Sequence, residues 1–398
     1  MKKNKPTFEL WEVILIAFVT SIIMSVTTGY ALFTSGRIKN CSTLTNNEHL
    51  GEFISTYNSI VTEYYKEVNE EGLINAAING MMDYLDDPYT TYLNESSKNA
   101  LLESLKGKYQ GIGIEILKQE EGPIQIVTVF DDSPAAIAGL KAGDILKSIN
   151  DIDLADKSSE DAVDIIKKSE DKNIKITVSR NEELISFVVE RKTLYIPVIE
   201  EELFEVNNQK VGYIRISKFS ETVGQQFAEK LKKLEEQGMN NLIIDLRNNT
   251  GGYLKGSTDI ASMFIKEGEI IYSLQTNLNK KDYKDETGEK KDYKVMILIN
   301  KNSASASEVL AAALKYSYGA KLVGVTSYGK GKVQQTSEVS DKTMLKYTTA
   351  KWLTPMGNCI DGVGLNPDVN VELSIEEGTT YSYEIDNQLQ TAIQEITK

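Results

Sequence analysis

The 398-residue chain is 41% hydrophobic and 26% charged, an ordinary balance for folded domains and enough length for two or three of them, which excludes wholesale disorder. Its formal charge of −14 argues against nucleic acid, whose recognition needs a basic surface. The two cysteines, Cys41 and Cys359, have neither metal-site nor redox spacing and read as isolated thiols, so no metal or cofactor is expected.

At the amino terminus, Lys2, Lys3 and Lys5 precede an uncharged stretch from Val13 to Gly36, strongly apolar to Met24 and milder through Phe33. It is long enough to span a bilayer. A cleavable signal peptide would have a shorter apolar run ending in a small-x-small site, so residues 1–36 read as an uncleaved anchor. The basic flank keeps the amino terminus inside, which predicts a single-pass protein of the cell membrane whose remaining chain is extracytoplasmic. Residues 37–106 read as a helical region with apolar positions at helical spacing: Phe53, Tyr57, Ile60, Val61, Tyr64 and Tyr65, then Leu73, Ile74, Ala77, Ile78 and Met81. These are expected to be packing faces. Asp87-Pro88-Tyr89-Thr90 ends the helical pattern with a turn.

Between residues 107 and 192 the pattern changes to short strands with one helix. Tyr109-Gln110-Gly111-Ile112-Gly113-Ile114-Glu115-Ile116, Ser133-Pro134-Ala135-Ala136, Gly139-Leu140-Lys141-Ala142-Gly143-Asp144-Ile145-Leu146 and Ala162-Val163-Asp164-Ile165-Ile166 together resemble a PDZ domain. The resemblance implies that Gly111, Ile112, Gly113 and Ile114 hold a peptide's terminal carboxylate with backbone N–H groups while the adjacent strand edge pairs with the peptide. Proteins or peptides with free carboxyl termini are then the expected partners. Relatives often carry Arg-Gly after the groove helix, where this chain has Lys167-Lys168.

Residues 193–372 read as a further domain. Val211 to Phe219 is a strand, Thr222 to Gln237 a helix, and Asn241 to Gly252 a near-continuous apolar strand ending in glycines, which suits a parallel sheet whose backbone approaches a ligand closely. Tyr272 to Asp292 is polar and lysine-rich, an exposed loop or hairpin. Ile297 to Asn300 ends a buried strand, and Ser303-Ala304-Ser305-Ala306-Ser307-Glu308 opens a helix running on to Leu314. A nucleophile there has free backbone N–H groups and the positive end of a helix dipole beside it. The strand Lys321 to Val325 then delivers Ser327 to Gln334 to the same sheet edge.

The chain's one histidine, His49, lies ahead of every expected strand, which disfavours a Ser-His-Asp triad. A lysine with a lowered pKa is the remaining base. The residues alone leave open which of Ser303, Ser305 and Ser307 attacks, because serines at helix starts are usually caps. A rival reading takes Gly324 to Lys330 as a phosphate loop, but Gly331 stands where Ser or Thr would ligate magnesium.

The serine run followed by Tyr328-Gly329-Lys330-Gly331-Lys332-Val333-Gln334 resembles the carboxyl-terminal processing peptidases. That resemblance implies Ser305 as nucleophile, Lys330 as base and Gln334 as assistant, with the N–H of Ala306 and that of Gly251 or Gly252 forming the oxyanion hole. Asp87 to Leu93 resembles the family's segment ahead of the PDZ domain, and Trp352–Gly357 and Asp361–Asp368 its closing strands; Thr250 stands where relatives often have Pro. In residues 373–398, Tyr383 to Ile396 reads as a helix packing on the core or on another subunit, which leaves a homodimer open. The expected architecture is α/β and α+β multidomain: a single membrane anchor, a helical amino-terminal region, a PDZ domain and an α/β serine peptidase core. The expected activity is that of a serine endopeptidase cleaving extracytoplasmic proteins; the alternative is a catalytically silent PDZ scaffold recruiting partners at the membrane.

Overall fold

The computed structural model describes residues 48–118, 122–287, 290–374 and 380–398, so the expected anchor and Cys41 lie outside the described residues. Among the described residues no helix is long and apolar enough to cross a membrane. The chain divides into two compact units at Tyr84 and Leu85.

The smaller unit holds α1 (Glu48–Glu63) and α2 (Glu70–Tyr84), tied by the Tyr57 hydroxyl donating to Glu70 at 2.9 Å. The expected packing faces are not covered here. Neither helix has a buried residue, and Phe53, Ile60, Tyr64, Tyr65, Ile74 and Met81 are exposed. An apolar stripe is buried only against a second layer, and the described part of this unit supplies none.

The larger unit opens with β1 (Thr91–Leu93) and α3 (Glu95–Lys106), whose start is capped by the Asn94 side chain accepting from the Ser97 N–H at 3.0 Å. Next come β2 (Lys108–Gly111), β3 (Ile114–Lys118), β4 (Ile124–Val129), α4 (Pro134–Ala138), β5 (Ile145–Ile149), β6 (Ile152–Asp153), α5 (Ser159–Lys168), β7 (Asn173–Arg180), β8 (Glu183–Glu190) and β9 (Lys192–Tyr195). Strands β3-β4-β5-β7-β8 form an antiparallel sheet with β6 attached to β5, and β2 pairs with β9. Alternation puts Ile126, Ile149, Ile174 and Ile176 on its inner face against Ala162 and Ile166 of α5.

The remaining elements are β10 (Ile199–Val206), β11 (Gln209–Ile216), α6 (Val223–Glu236), β12 (Asn241–Asp245), α7 (Leu254–Ser262), β13 (Ile270–Gln275), β14 (Lys280–Lys284), β15 (Lys294–Ile299), α8 (Ala306–Ala313) with a π-helical turn after it (Leu314–Tyr318), β16 (Lys321–Gly324), β17 (Lys332–Glu338), β18 (Met344–Leu353), β19 (Val369–Asn370) and α9 (Asn387–Ile396). One sheet runs β10-β11-β12-β15-β16-β19, with β10 antiparallel and the rest parallel. Every residue of β12 is buried, as a parallel strand covered on both faces requires. Phe227 of α6, Ile260 of α7 and Val309 of α8 cover one face, against Ile214, Ile244 and Ile297 of the sheet. Leu389, Ala392, Ile393 and Ile396 of α9 cover the other, against Tyr213, Ile243, Leu298 and Val323.

Helix α9 thus packs on its own chain's sheet. It starts at Asn387 rather than Tyr383 because the Asp386 carboxylate caps it, accepting the Leu389 N–H at 3.0 Å. Arg247, just beyond β12, holds that cap by pairing with Asp386 at 2.7 Å and with Asp245 at 2.6 Å, all three buried.

A second sheet, β1-β18-β13-β14 with β17 also on β18, is antiparallel. The lysine-rich stretch supplies the β13–β14 hairpin, anchored by Tyr272 stacked on Tyr283 with centroids 4.6 Å apart. Asp361–Asp368 is not a strand: Gly362 and Gly364, at φ +73° and +77°, turn it through loops, and only Val369–Asn370 pairs.

Candidate active site

Strand β15 ends where the serine run begins, and the three hydroxyls have different surroundings. The Ser303 hydroxyl donates to the Leu246 carbonyl at 2.8 Å and the Ser307 hydroxyl to the Asn249 carbonyl at 2.8 Å, both buried, so these two serines tie the helix start to the loop after β12. Ser305 is the one of the three that lines the neighbouring cleft of about 310 Å³. Its backbone sits at φ +57°, ψ −117°, a conformation that costs a non-glycine residue about 1–3 kcal/mol and persists only where its surroundings impose it.

Glu308 imposes it. This buried carboxylate accepts the N–H groups of Ser305 and Lys330, each at 2.9 Å, the Gly329 N–H at 2.7 Å and the Ser327 hydroxyl at 2.6 Å. Glu308 carries no role of its own in the motif Ser303–Glu308 as read from sequence. Its position three residues into a helix, behind an N-cap serine, is the capping-box signal that identifies it. Burial pushes its carboxyl pKa up, while the four donors favour the charged form and work against that shift.

The loop carrying Lys330 is fixed on its other side by the Trp352 indole N–H, which donates to the Lys330 carbonyl at 2.8 Å. Gly329, at φ +87°, packs so closely that a Cβ would lie 2.8 Å from the Gly364 nitrogen. The Lys330 ammonium lies 4.5 Å from the centroid of the Tyr89 ring. Burial first, then the charge of Lys346, pushes its pKa below the ordinary lysine range, against the opposing pull of Glu308 and Asp87.

Gln334, on β17, lines the same cleft and donates to the Thr348 hydroxyl at 3.3 Å; Thr348 in turn donates to Asp87 at 2.6 Å. Asp87 also accepts from Thr90 at 2.7 Å and faces Lys332 at 3.4 Å, so the turn before β1 braces this wall.

Gly251 and Gly252 both line the cleft but differ in what their N–H groups do. That of Gly251 donates to the Asn249 side chain at 2.8 Å. Those of Gly252 and Ala306 meet no acceptor among the described residues. Gly252, at φ +137°, has no room for a side chain, since a Cβ would lie 2.1 Å from the Phe219 carbonyl oxygen. No histidine lines the cleft, and among the described residues no group of His, Cys, Asp or Glu is placed to hold a metal ion. The phosphate-loop reading also fails on geometry, because the Gly329 and Lys330 N–H groups are taken by Glu308.

A second groove, of about 260 Å³, is lined by Gly111, Ile112, Gly113 and Ile114 together with Val163 and Ile166 of α5. Helix α3 borders both sites: Glu103 lines the groove and pairs with Lys167 at 2.7 Å, while Leu101, Ser104 and Leu105 line the cleft.

The family model for peptidase family S41 matches residues 210–371, that for a PDZ domain residues 125–180, and that for the activating protease CtpB N-terminal domain residues 27–97. The chain is similar to a probable CtpA-like serine protease of Staphylococcus aureus, 33% identical over 366 residues that cover 91% of this chain and 73% of that one. It is also similar to the carboxy-terminal processing protease CtpB of Bacillus subtilis, 37% identical over 319 residues, 79% of this chain and 66% of that one. Its fold matches that of a photosystem II D1 C-terminal processing protease with a TM-score of 0.50 at 24% identity, covering 83% and 88% of the two chains. A cleft built on the S41 core, beside a PDZ domain and in a chain so related, places this protein in peptidase family S41, as a serine-type carboxyl-terminal processing protease.

Proposed function

We propose that Ser305 and Lys330 form the catalytic dyad of this protease. The observation that carries the reading is the Glu308 carboxylate, which fixes the backbone of both residues at one cleft. The neutral Lys330 amine takes the Ser305 proton as the hydroxyl oxygen attacks the scissile carbonyl, and the ammonium so formed protonates the departing amine. Water then attacks the acyl-enzyme, giving a proton to Lys330, which passes it to the departing Ser305 oxygen so that the free hydroxyl and the neutral amine are restored. The N–H groups of Gly252 and Ala306 receive the oxyanion, each donor contributing about 3 kcal/mol to transition-state stabilisation. Gly251 is left out because its N–H is already engaged. Gln334 orients the cleft wall through Thr348.

The PDZ groove captures the substrate's carboxyl terminus on the Gly111–Ile114 segment, and α3, bordering groove and cleft, is the physical link between capture and cleavage. Residues 13–36 anchor the chain, with its protease domain outside the cytoplasm, as the lysines before them favour. The test uses the chain without residues 1–36 and a peptide bearing either a free or an amidated carboxyl terminus. Ser305-dependent hydrolysis with a preference for the free acid is expected, and deleting residues 107–192 should weaken that preference. Equal turnover of acid and amide would contradict capture by the groove, and loss of Ser305 without loss of turnover would contradict the dyad.

A further inference from the structure

The cleft around Ser305 is lined by four lysines, Lys218, Lys330, Lys332 and Lys346, and by no aspartate or glutamate, in a chain whose formal charge is −14. Two of these lysines already have a role or a partner. Lys330 supplies the base, and Lys332 faces Asp87 at 3.4 Å. Lys218 and Lys346 meet no carboxylate among the described residues.

They also stand on opposite sheets. Lys218 follows β11 at the carboxyl edge of the parallel sheet, beside the glycine loop. Lys346 lies on β18, opposite Thr336 on one side and Thr91 on the other, and Thr336 also lines the cleft. Cations on both walls of a cleft repel one another and focus a positive potential into it. Within the cleft Lys346 bears on Lys330, where its charge helps depress the amine's pKa. An unmatched charge in such a place is most favourably met by an anion that arrives with the substrate.

We propose that the cleft binds a substrate carboxylate close to the scissile bond, through Lys346 and Lys218, so that cleavage favours segments bearing an acidic side chain or a nearby terminal carboxylate over neutral ones. This deepens the Ser305 reading and rests on it. The two sources of carboxylate share one chemistry, and they are separable by peptide design.

The experiment compares three peptides of one sequence: a neutral amidated parent, the amidated parent with one Asp or Glu beside the scissile bond, and the neutral parent with a free carboxyl terminus a few residues beyond it. For wild type, kcat/KM of at least one acid-bearing peptide should exceed that of the parent by about tenfold, the worth of a charge-assisted hydrogen bond. The peptide whose advantage falls in the lysine variants identifies the source, because the groove's own preference for a free terminus does not depend on Lys218 or Lys346. In Lys346→Met with Lys218→Met the ratio for the peptide with the internal acid should fall toward unity and that for the free-terminus peptide should fall to the share the groove supplies; in Lys346→Glu the internal-acid ratio should invert, and in Lys346→Arg both ratios should persist. Because each ratio is taken within one variant, a general loss of activity does not imitate the result. A wild-type ratio near one, or a ratio unchanged in the double variant, overturns the proposal while leaving the dyad intact. Hydrolysis of the neutral parent that persists in Ser305→Ala would instead refute the dyad.

Discussion

Glu308 accepts the backbone N–H of Ser305 at 2.9 Å with the same carboxylate oxygen that accepts the N–H of Lys330 at 2.9 Å. One buried side chain therefore sets the spacing of two residues from different loops. Replacing it with glutamine leaves the volume and turns an NH2 group toward at least one of the donors it now accepts. Glu308→Gln is expected to lose about 1–3 kcal/mol of stability, from unpaired buried donors, and to lower kcat by about 100-fold through misplacement of both loops. Urea unfolding and steady-state kinetics check the two halves. A variant with wild-type kcat would show that the carboxylate does not set the geometry.

The Tyr89 ring beneath the Lys330 ammonium stabilises its charged form, a cation–π contribution of about 0.5–2 kcal/mol. Removing the ring in Tyr89→Leu should lower the Lys330 pKa further, so the acid limb of the pH–rate profile should move to lower pH by about half to one and a half units. Tyr89→Phe keeps the ring and should keep the limb in place. Measuring kcat/KM against pH for both variants decides it, and a shift in Tyr89→Phe equal to that in Tyr89→Leu would assign the effect to the hydroxyl instead.

Arg247 and Asp386 join α9 to the strand that leads into the glycine loop. Burial works to raise the Asp386 pKa, but hydrogen bonding and attraction from Arg247 outweigh it and hold the carboxyl below its usual range. A depressed folded pKa means stability present above the unfolded value of about 3.9 and lost as pH falls through the folded one. Wild-type unfolding free energy should therefore decline below about pH 4 in part through this group. Asp386→Asn should lack that share and be less stable at neutral pH by about 3–5 kcal/mol, because it leaves Arg247 short of a partner. Equal stability of the two proteins at pH 7 would contradict the clamp.

The readings that rested on neighbours in sequence could be made from the chain alone, and those that rested on distant partners could not. The β15 strand, the helix start and the glycine-framed lysine are local patterns, each written within about ten residues. The role of Glu308 depends on donors at residues 327–330, and the engagement of the Gly251 N–H depends on how the Asn249 side chain folds back, a conformation that nearness in sequence does not fix. The apolar stripes of α1 and α2 are legible as amphipathic helices, and what covers them is not among the described residues, because helical spacing reports amphipathicity and not the identity of the covering layer. Asp361–Asp368 reads as a strand but is a loop turned by Gly362 and Gly364, from which Leu365 reaches the core while Val363 stays exposed.

The central claim, that Lys330 is the base for Ser305, is tested most directly by the pH dependence of peptide hydrolysis in Lys330→Arg beside wild type and Lys332→Arg. Burial and the charge of Lys346 lower the Lys330 pKa, so wild-type activity should rise with pH as the amine loses its proton. A guanidinium keeps its charge throughout the accessible range and cannot accept the Ser305 proton. Lys330→Arg should be inactive at every pH between about 6 and 10, while Lys332→Arg, which can still meet Asp87, should keep most of the wild-type rate and the same profile. An active Lys330→Arg enzyme would contradict the account.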